Sequence, residues 1–311
     1  MKSTSMVRVY AALFSAMAIW GLSFLAIKDV IETIPIFSLL FARFLLATLL
    51  LGAMGLARKA LRLPKRDLLT LAGLALLSPV GYFLFETYGV FYTQPSHVSV
   101  IIATIPIAVY LIAFARRQER LTWLRSAGIL IAYSGVLVII GWGKNDPGAS
   151  LFGDVLVLGA VLCAATRTTL IKDALRRVTP LQLTFYQFFF SLFVFGPLAL
   201  TDGVSWMGQV TTLTLLELLF LGVFCSAGAF LFMHYALNHL SATQVAVSAN
   251  LVPVITLFAE VAILGAMITV PKALGITITL VGVLLTQLDR SSNLPARLDY
   301  DSVVPNKPTI R

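Results

Sequence analysis

Residues 36–57 read IFSLLFARFLLATLLLGAMGLA. The stretch carries a single charge, Arg43, and it stops at the basic run that holds Arg58, Lys59, Arg62, Lys65 and Arg66. An α-helix rises 1.5 Å per residue, so about 20 apolar residues cross the hydrocarbon of a bilayer. Residues 36–57 therefore predict a transmembrane helix that ends where cations meet water. The rest of the chain resembles it. The whole is 59% hydrophobic and 12% charged, whereas a soluble domain carries roughly 25% charged residues. Such a chain has too few polar groups to cover itself in water.

Working outward from this helix, apolar runs bounded by charges and by Pro or Gly give ten spans. They fall near 9–28, 36–57, 68–90, 97–115, 124–142, 152–172, 181–200, 214–236, 243–266 and 270–288. The fold class expected is an all-α membrane protein. The first run is read as a membrane helix rather than a signal peptide, because nine more follow and no A-x-A-like site comes after it. Residues 291–311 are polar with three prolines and are expected to form a disordered cytoplasmic tail.

The net charge of +9 invites a nucleic-acid reading, but the distribution of the cations removes it. With a cytoplasmic N-terminus, eighteen Lys and Arg fall in inside segments, and only Lys28, Lys144 and Lys272 fall outside. An excess of Lys and Arg in cytoplasmic loops is the ordinary orientation signal of a membrane protein. The localisation expected is multi-pass in the inner (plasma) membrane with both termini cytoplasmic. Cys163 and Cys225 lie within apolar runs; they suit neither a disulfide framework nor a metal site.

The sequence also repeats. A shift of 147 superimposes Gly81 on Gly228, Phe83 on Phe230, Tyr88 on Tyr235, Pro106 on Pro253, Thr122 on Thr269, Gly128 on Gly275 and Gly135 on Gly282. Residues 81–137 give 16 identities in 57 ungapped positions under this shift. Residues 1–147 and 148–290 are thus expected to be two five-helix repeats. Five is odd, so the second repeat lies upside down in the membrane. Inverted repeats are typical of secondary transporters, whose substrate site lies near the midplane between the halves.

The residues that fix this frame resemble those of a known family. They are Trp20-Gly21-Leu22-Ser23-Phe24, Pro35, Ala42-Arg43-Phe44, Pro106, Glu119-Arg120-Leu121-Thr122, Gly128 and Gly135, with Pro253, Gly275 and Gly282 in the second half. Together the set resembles the drug/metabolite transporter (DMT) superfamily, specifically its EamA-type ten-helix members, from Trp20 to about Leu288. The resemblance implies a carrier with a central cavity and alternating access, often exporting amino acids or related metabolites, and without a prosthetic group. One departure is Ala266, which follows Leu264-Gly265 where the family usually has Glu.

An ionisable residue within a span is costly and usually faces a cavity or a partner. Arg43 and Glu86 both fall in the outer half, and they are expected to meet as a charge pair, structural or coupled to transport. Arg167 is a further candidate, or it reaches the inner interface. Trp20, Tyr82 and Tyr186 place amphipathic rings at depth, and Asn250 and Ser23 place polar groups there. These five are the candidate substrate-binding residues, with packing as the alternative role for each. Pro106 and Pro253 are expected mid-span as paired hinges. His97 and His234 are read as interfacial or satisfied. The two glycine pairs are read as close-packing faces.

The function expected is export of a small amino-acid-like or zwitterionic metabolite. Organic cations such as choline-like amines, or an amino-acid-derived metallophore, are the alternatives within transport. A non-transporting receptor and an intramembrane enzyme are the alternatives outside it. No H-E-x-x-H or G-x-S-x-G motif supports catalysis, and no P-loop supplies ATP. The partners expected are a small-molecule substrate and the lipid bilayer, with no nucleic acid; a homodimer is left open.

The inverted arrangement makes a prediction. In a Cys163- and Cys225-free background, single cysteines near Arg62 and near Asp202 should react with an impermeant maleimide from opposite sides of the membrane. Labelling of both from one side would exclude inversion.

Overall fold

The computed structural model describes residues 6–116, 122–142, 148–170, 174, 177–237, 239 and 248–288. The tail expected beyond residue 290 and the Glu119-Arg120-Leu121 turn lie outside the described residues. So does the loop basic residue Arg176. The described residues are mostly helical, with no strand among them.

The helices are α1 (Met6–Thr33), α2 (Ile36–Ala57), α3 (Lys65–Ala75), α4 (Tyr82–Tyr92), α5 (Pro95–Ile102), α6 (Ile105–Ala115) and α7 (Trp123–Trp142). They continue with α8 (Leu151–Leu170), α9 (Pro180–Thr201), α10 (Thr212–Leu219), α11 (Ala229–Leu237), α12 (Leu251–Leu264) and α13 (Val270–Leu288). Two irregular segments join α3 to α4 and α10 to α11: Leu76–Gly81, a kink at which Ser78 leaves the helical region with φ −155° and ψ 123°, and Phe220–Gly228, a wider π-helical stretch. Counted as continuous spans, seven are long and apolar enough to cross a membrane: Met6–Thr33, Ile36–Ala57, Lys65–Tyr92, Pro95–Ile112, Leu151–Leu170, Pro180–Thr201 and Thr212–Met233. Trp123–Ile139, Leu251–Leu264 and Val270–Leu285 are shorter apolar helices. These ten follow the spans expected from hydropathy.

Two aromatic and aliphatic cores hold the bundle. One surrounds α1 through Val9, Leu13, Met17, Ile27 and Val30, with Val98, Val157, Leu221 and Val252 against them. The other centres on Phe44, with Leu40, Leu51, Phe83, Phe188 and Phe195. Large apolar side chains also cover the outside, among them Leu49, Leu69, Leu130, Phe193 and Phe258. That surface suits lipid and not water.

Helices α7 and α13 pack at backbone distance, and the glycines are the reason. A Cβ on Gly135 would lie 2.7 Å from the Gly275 carbonyl oxygen, and one on Gly282 would lie 2.7 Å from that of Gly128. Thr279 Oγ1 also reaches the Ala132 carbonyl, at 3.3 Å. Gly135 thus meets Gly275 while Gly128 meets Gly282. Exchanging the halves by the 147-residue shift converts one contact into the other, as a two-fold relation between the halves requires.

The two prolines expected as paired hinges sit at matching breaks in the helical hydrogen-bond ladder. Each lies in the first turn of a new helix, α6 or α12, directly after an interruption at Ala103-Thr104 or Ala249-Asn250. Proline is tolerated there because first-turn N–H groups have no intrahelical acceptor. The prolines therefore mark where half-helices restart. The other end of α12 is set by Gly265, whose φ of 62° is the left-handed region in which glycine carries no steric penalty.

Gly282→Val should test the glycine contact. Its side chain would meet Ala132 and the Gly128 carbonyl, and backbone atoms have little room to yield. Overpacking of this kind costs about 1–3 kcal/mol. Thermal unfolding in detergent should show a midpoint several degrees below the parent. Gly73→Ala, with open space around that Cβ, should leave the midpoint unchanged.

Candidate functional site

The irregular segments lie at matching places in the two halves, so that Ser78 of the first corresponds to Cys225 of the second. A kink or a π-helical stretch takes carbonyls off the usual i→i−4 ladder, and side chains can then reach them. Trp20 Nε1 donates to the Cys225 carbonyl at 3.3 Å. In the other half Gln187 Nε2 donates to the Ser78 carbonyl at 3.2 Å, and Arg167 donates to Gln187 Oε1 at 2.8 Å. Arg167 and Trp20 are themselves 147 residues apart. Each half thus sends a side chain of its first helix, directly or through Gln187, to the irregular segment of the other half.

Arg43 lies beside the second of these segments. Its side chain is 2% exposed, so its partners decide whether it is tolerable in a membrane. Nε donates to Ser226 Oγ at 2.7 Å, and Ser226 in turn donates to the Leu221 carbonyl at 2.9 Å. The guanidinium carbon lies 4.5 Å from the centre of the Phe83 ring, close enough for a cation–π attraction. Nη1 is buried and has no hydrogen-bond partner.

Glu86 faces the same region from α4 and is 4% exposed. Oε1 accepts from the Tyr82 hydroxyl at 3.4 Å, while Oε2 is buried and unpartnered. Arg43 and Glu86 act on each other, on Tyr82 and on Cys225 through space. They do not form the charge pair expected from the sequence: no ion pair joins them among the described residues. The reason is local. Ser226 and Phe83 hold the guanidinium on the α2 side, and the Tyr82 hydroxyl, one turn earlier on the same helix, holds the carboxylate. Each charge keeps one unsatisfied atom.

A run of rings borders this polar group. Trp20 stands edge-on to Phe230 at 5.3 Å, Phe230 to Phe188 at 5.7 Å, and Phe188 stacks on Phe44 at 5.2 Å. Phe44 meets Phe83 at 5.1 Å, and Phe83 meets Tyr82 at 4.9 Å. Rings from both halves are therefore continuous from Trp20 to Tyr82. Asn250 lies near the Trp20 end. Two residues beyond it, the Val252 carbonyl would lie 3.2 Å from a Cβ on Gly21, and Thr256 Oγ1 donates to the Gly21 carbonyl at 2.9 Å. Both amide atoms of Asn250 are buried without a partner.

The other candidates lie elsewhere or are already engaged. The Tyr186 hydroxyl donates to the Leu61 carbonyl at 2.6 Å, at the end where Gln182 Nε2 bonds the Arg62 carbonyl. That fixes the loop before α3 and keeps Tyr186 apart from Trp20 and Tyr82. Ser23 donates to the Trp20 carbonyl, three residues back on its own helix, at 2.8 Å. Arg167 belongs to the Gln187–Ser78 chain and not to the Arg43 group.

The opposite end of the bundle holds a polar assembly that hydropathy did not reveal. Lys272 Nζ lies 2.7 Å from Glu260 Oε2 and donates to Gln94 Oε1 at 2.9 Å. Glu260 Oε1 accepts from the Ser96 backbone at 2.7 Å. Asp202 Oδ2 accepts from the backbone and hydroxyl of Ser38, each at 2.8 Å, in the first turn of α2. Negative charge is favourable at a helix N-terminus. Lys272 is one of the three cations that the sequence places on the outer side. The burial of Glu260 and Lys272 as a pair follows from the turn between α4 and α5, which folds over them.

The description "EamA-like transporter family" matches this chain twice, over residues 7–141 and 151–288. A protein of Archaeoglobus fulgidus, named as an uncharacterized transporter, is 30% identical over 282 residues; these cover 90% of this chain and 97% of that protein. The uncharacterized transporter YcxC of Bacillus subtilis is 28% identical over 261 residues, covering 79% of this chain and 81% of the relative. A solved crystal structure shares the fold with a TM-score of 0.66 at 18% identity, over 91% of this chain and 98% of the other.

The separate anchoring of Arg43 and Glu86 predicts the outcome of a charge swap. Arg43→Glu combined with Glu86→Arg should yield no more monodisperse protein in detergent than either single variant, because the exchanged groups would lose Ser226, Phe83 and Tyr82. Recovery of the parent's size-exclusion profile by the swap would mean that the two charges pair directly.

Proposed function

Because the chain belongs to the EamA-like transporter family, we propose that it exports a small zwitterionic, amino-acid-like metabolite across the inner membrane by alternating access. It is a multi-pass membrane transporter and not an enzyme. In this reading both termini are cytoplasmic, in line with the eighteen-to-three distribution of loop cations. The substrate sits between the halves, against Trp20, Arg43, Tyr82 and Glu86, with Asn250 at the edge.

One observation carries the choice of substrate class. Arg43 Nη1 and Glu86 Oε2 are both buried, and neither has a partner. A buried polar atom left unsatisfied costs about 1–3 kcal/mol, and more when it is charged. A bound α-amino acid relieves both at once, with its carboxylate on Arg43 and its ammonium on Glu86. The rings from Trp20 to Phe83 then face its side chain. An organic cation would satisfy Glu86 and add cation–π contacts, but it would leave Arg43 unpaired and repel it. The zwitterion is therefore the better fit. Without a nucleotide site, the driving force is a gradient.

Proteoliposomes loaded with labelled L-phenylalanine, L-threonine or choline provide the test. An amino acid should leave faster than from protein-free vesicles, with choline retained. Glu86→Gln and Arg43→Lys should each lower that efflux at least tenfold, because each removes a charge or the planar fork that matches a carboxylate. Efflux of choline alone, or amino-acid efflux indifferent to both substitutions, would overturn the reading.

A further inference from the structure

Arg167 is a second guanidinium inside the bundle, and the central group does not use it. Its depth follows from the way α8 runs along the Leu76–Tyr92 stretch. A Cβ on Gly153 would meet Thr93, one on Gly89 would meet Val157, and one on Gly81 would lie 3.1 Å from Cys163 Sγ. One turn further along α8, Arg167 comes level with Ser78, and Gln187 bridges it to the Ser78 carbonyl. Ser78 precedes Glu86 by two turns, which sets Arg167 ~11 Å nearer the Arg62 end than the central group.

The inward side of α8 changes character along its length. Residues 154, 157, 161, 164 and 168 share one face at helical spacing, opposite Phe152, Val155 and Leu162, which are exposed to lipid. Asp154, Val157 and Val161 are buried. Asp154 accepts from Thr93 Oγ1 at 2.9 Å and lies 3.3 Å from His97 Nδ1, so that end of the face is covered. From Ala164 onward the same face opens. Ala164 is half-buried, Thr168 is exposed, and Arg167 beside them is half-buried, whereas Arg43 is sealed. A cleft thus enters from the Arg62 end and closes near Val161.

Arg167 is the charge at the head of this cleft, and it lacks a counter-ion. Its Nη2 is held by Gln187, a neutral acceptor, and its Nε is buried with no partner. No acidic side chain pairs with it among the described residues, and Asp67 at this end is taken by Arg177. A guanidinium keeps its proton, so only an anion answers its charge. Gln187 fixes one edge of the planar fork, and the remaining N–H groups suit a carboxylate.

We propose that Arg167, positioned by Gln187, is a second carboxylate-binding site, where a substrate entering from the Arg62 end docks before it reaches Arg43 and Glu86. The inference deepens the transporter reading above and takes its carboxylate from it. Tyr82 lies one turn after Ser78 and one turn before Glu86, to which its hydroxyl donates. A carboxylate therefore passes from one guanidinium to the other along a single face of the same stretch. Inorganic phosphate and anionic lipid headgroups share the charge that Arg167 would attract, and the test separates them.

Thr168→Cys in a Cys163→Ser, Cys225→Ser background places a thiol in the cleft, one residue from Arg167. The full chain in phosphatidylcholine nanodiscs is treated with a sulfonatoethyl or a trimethylammonioethyl methanethiosulfonate. Each rate is divided by that reagent's rate with 2-mercaptoethanol. The anionic reagent should be favoured at least tenfold. Arg167→Gln should remove that preference, because the ratio of the two reagents is insensitive to a change in access that affects both. Gln187→Glu, which sets a carboxylate against the guanidinium, should remove it as well and serves if Arg167→Gln does not fold. L-Threonine or L-phenylalanine should slow the anionic reagent, and L-threonine amide should not. No preference in the parent, or a preference retained in a folded variant, would overturn the proposal. So would protection by phosphate or by phosphatidylglycerol in the disc but by neither amino acid. The labelling needs no transport. Absent efflux would leave the Arg167 preference standing, and a lost preference would leave the efflux test standing, so the two readings fail separately.

Discussion

Hydrocarbon offers no partner to a backbone N–H or C=O, and the rest of this structure depends on that constraint. It explains why every described span is helical. It also explains where helices are allowed to break. The irregular segments Leu76–Gly81 and Phe220–Gly228, and the interruptions near Thr104 and Asn250, all fall where another helix packs. Each irregular segment has a carbonyl recovered by a buried side chain, Trp20 on Cys225 and Gln187 on Ser78. Local irregularity and the meeting of the halves are one feature, since neither segment is satisfied by its own half alone.

The same constraint sorts the charges by depth. At the Arg62 end, Arg177 pairs with Asp67 at 3.1 Å, partly in contact with solvent. At the opposite end, Lys28 closes the terminus of α4, Asp202 caps α2, and Glu260 with Lys272 is sealed under a turn. The Arg43 and Glu86 group lies deep, and each of the two charges keeps a buried atom without a partner. A purely structural pair would be expected to close on itself, because a half-satisfied buried network is worse than an apolar core. In the proposed reading, two separately held charges leave that region open to a ligand that answers both.

Much of this was legible in the sequence, for a physical reason. Depth in a membrane is a one-dimensional quantity, and hydropathy reports it. The spans, the glycine faces of α7 and α13, and the depths of Trp20, Arg43 and Glu86 all follow from position along a helix. Which way a residue faces around its helix does not. Arg43 and Glu86 share a depth but are turned toward Ser226 and Tyr82. Tyr186 looked equivalent to Tyr82 in composition, yet it faces Leu61. Asp154 passed unnoticed because it opens a span, where an acidic residue is ordinary; only the approach permitted by Gly153 shows that it is buried. The prolines were legible only in part: sequence gives a break in the helical ladder at Pro106 and Pro253, but not how the chain is angled across it.

The duplication accounts for the scaffold but not for the chemistry. The glycines, the prolines and the irregular segments recur at the 147-residue shift. The charges of the candidate site do not: Arg43 corresponds to Phe190, Glu86 to Met233, and Arg167 to Trp20. A two-fold scaffold has two conformations of nearly equal energy, one opening to each side, because exchanging the halves exchanges the faces. That supplies the mechanics of alternating access and no preference between substrates. Preference requires the symmetry to be broken at the axis. Here the break is chemical, since one half carries the guanidinium and the carboxylate while the other answers with phenylalanine, methionine and a serine hydroxyl. A ligand held by such a group is oriented the same way in both states, and the moving frame around it is free to remain symmetric.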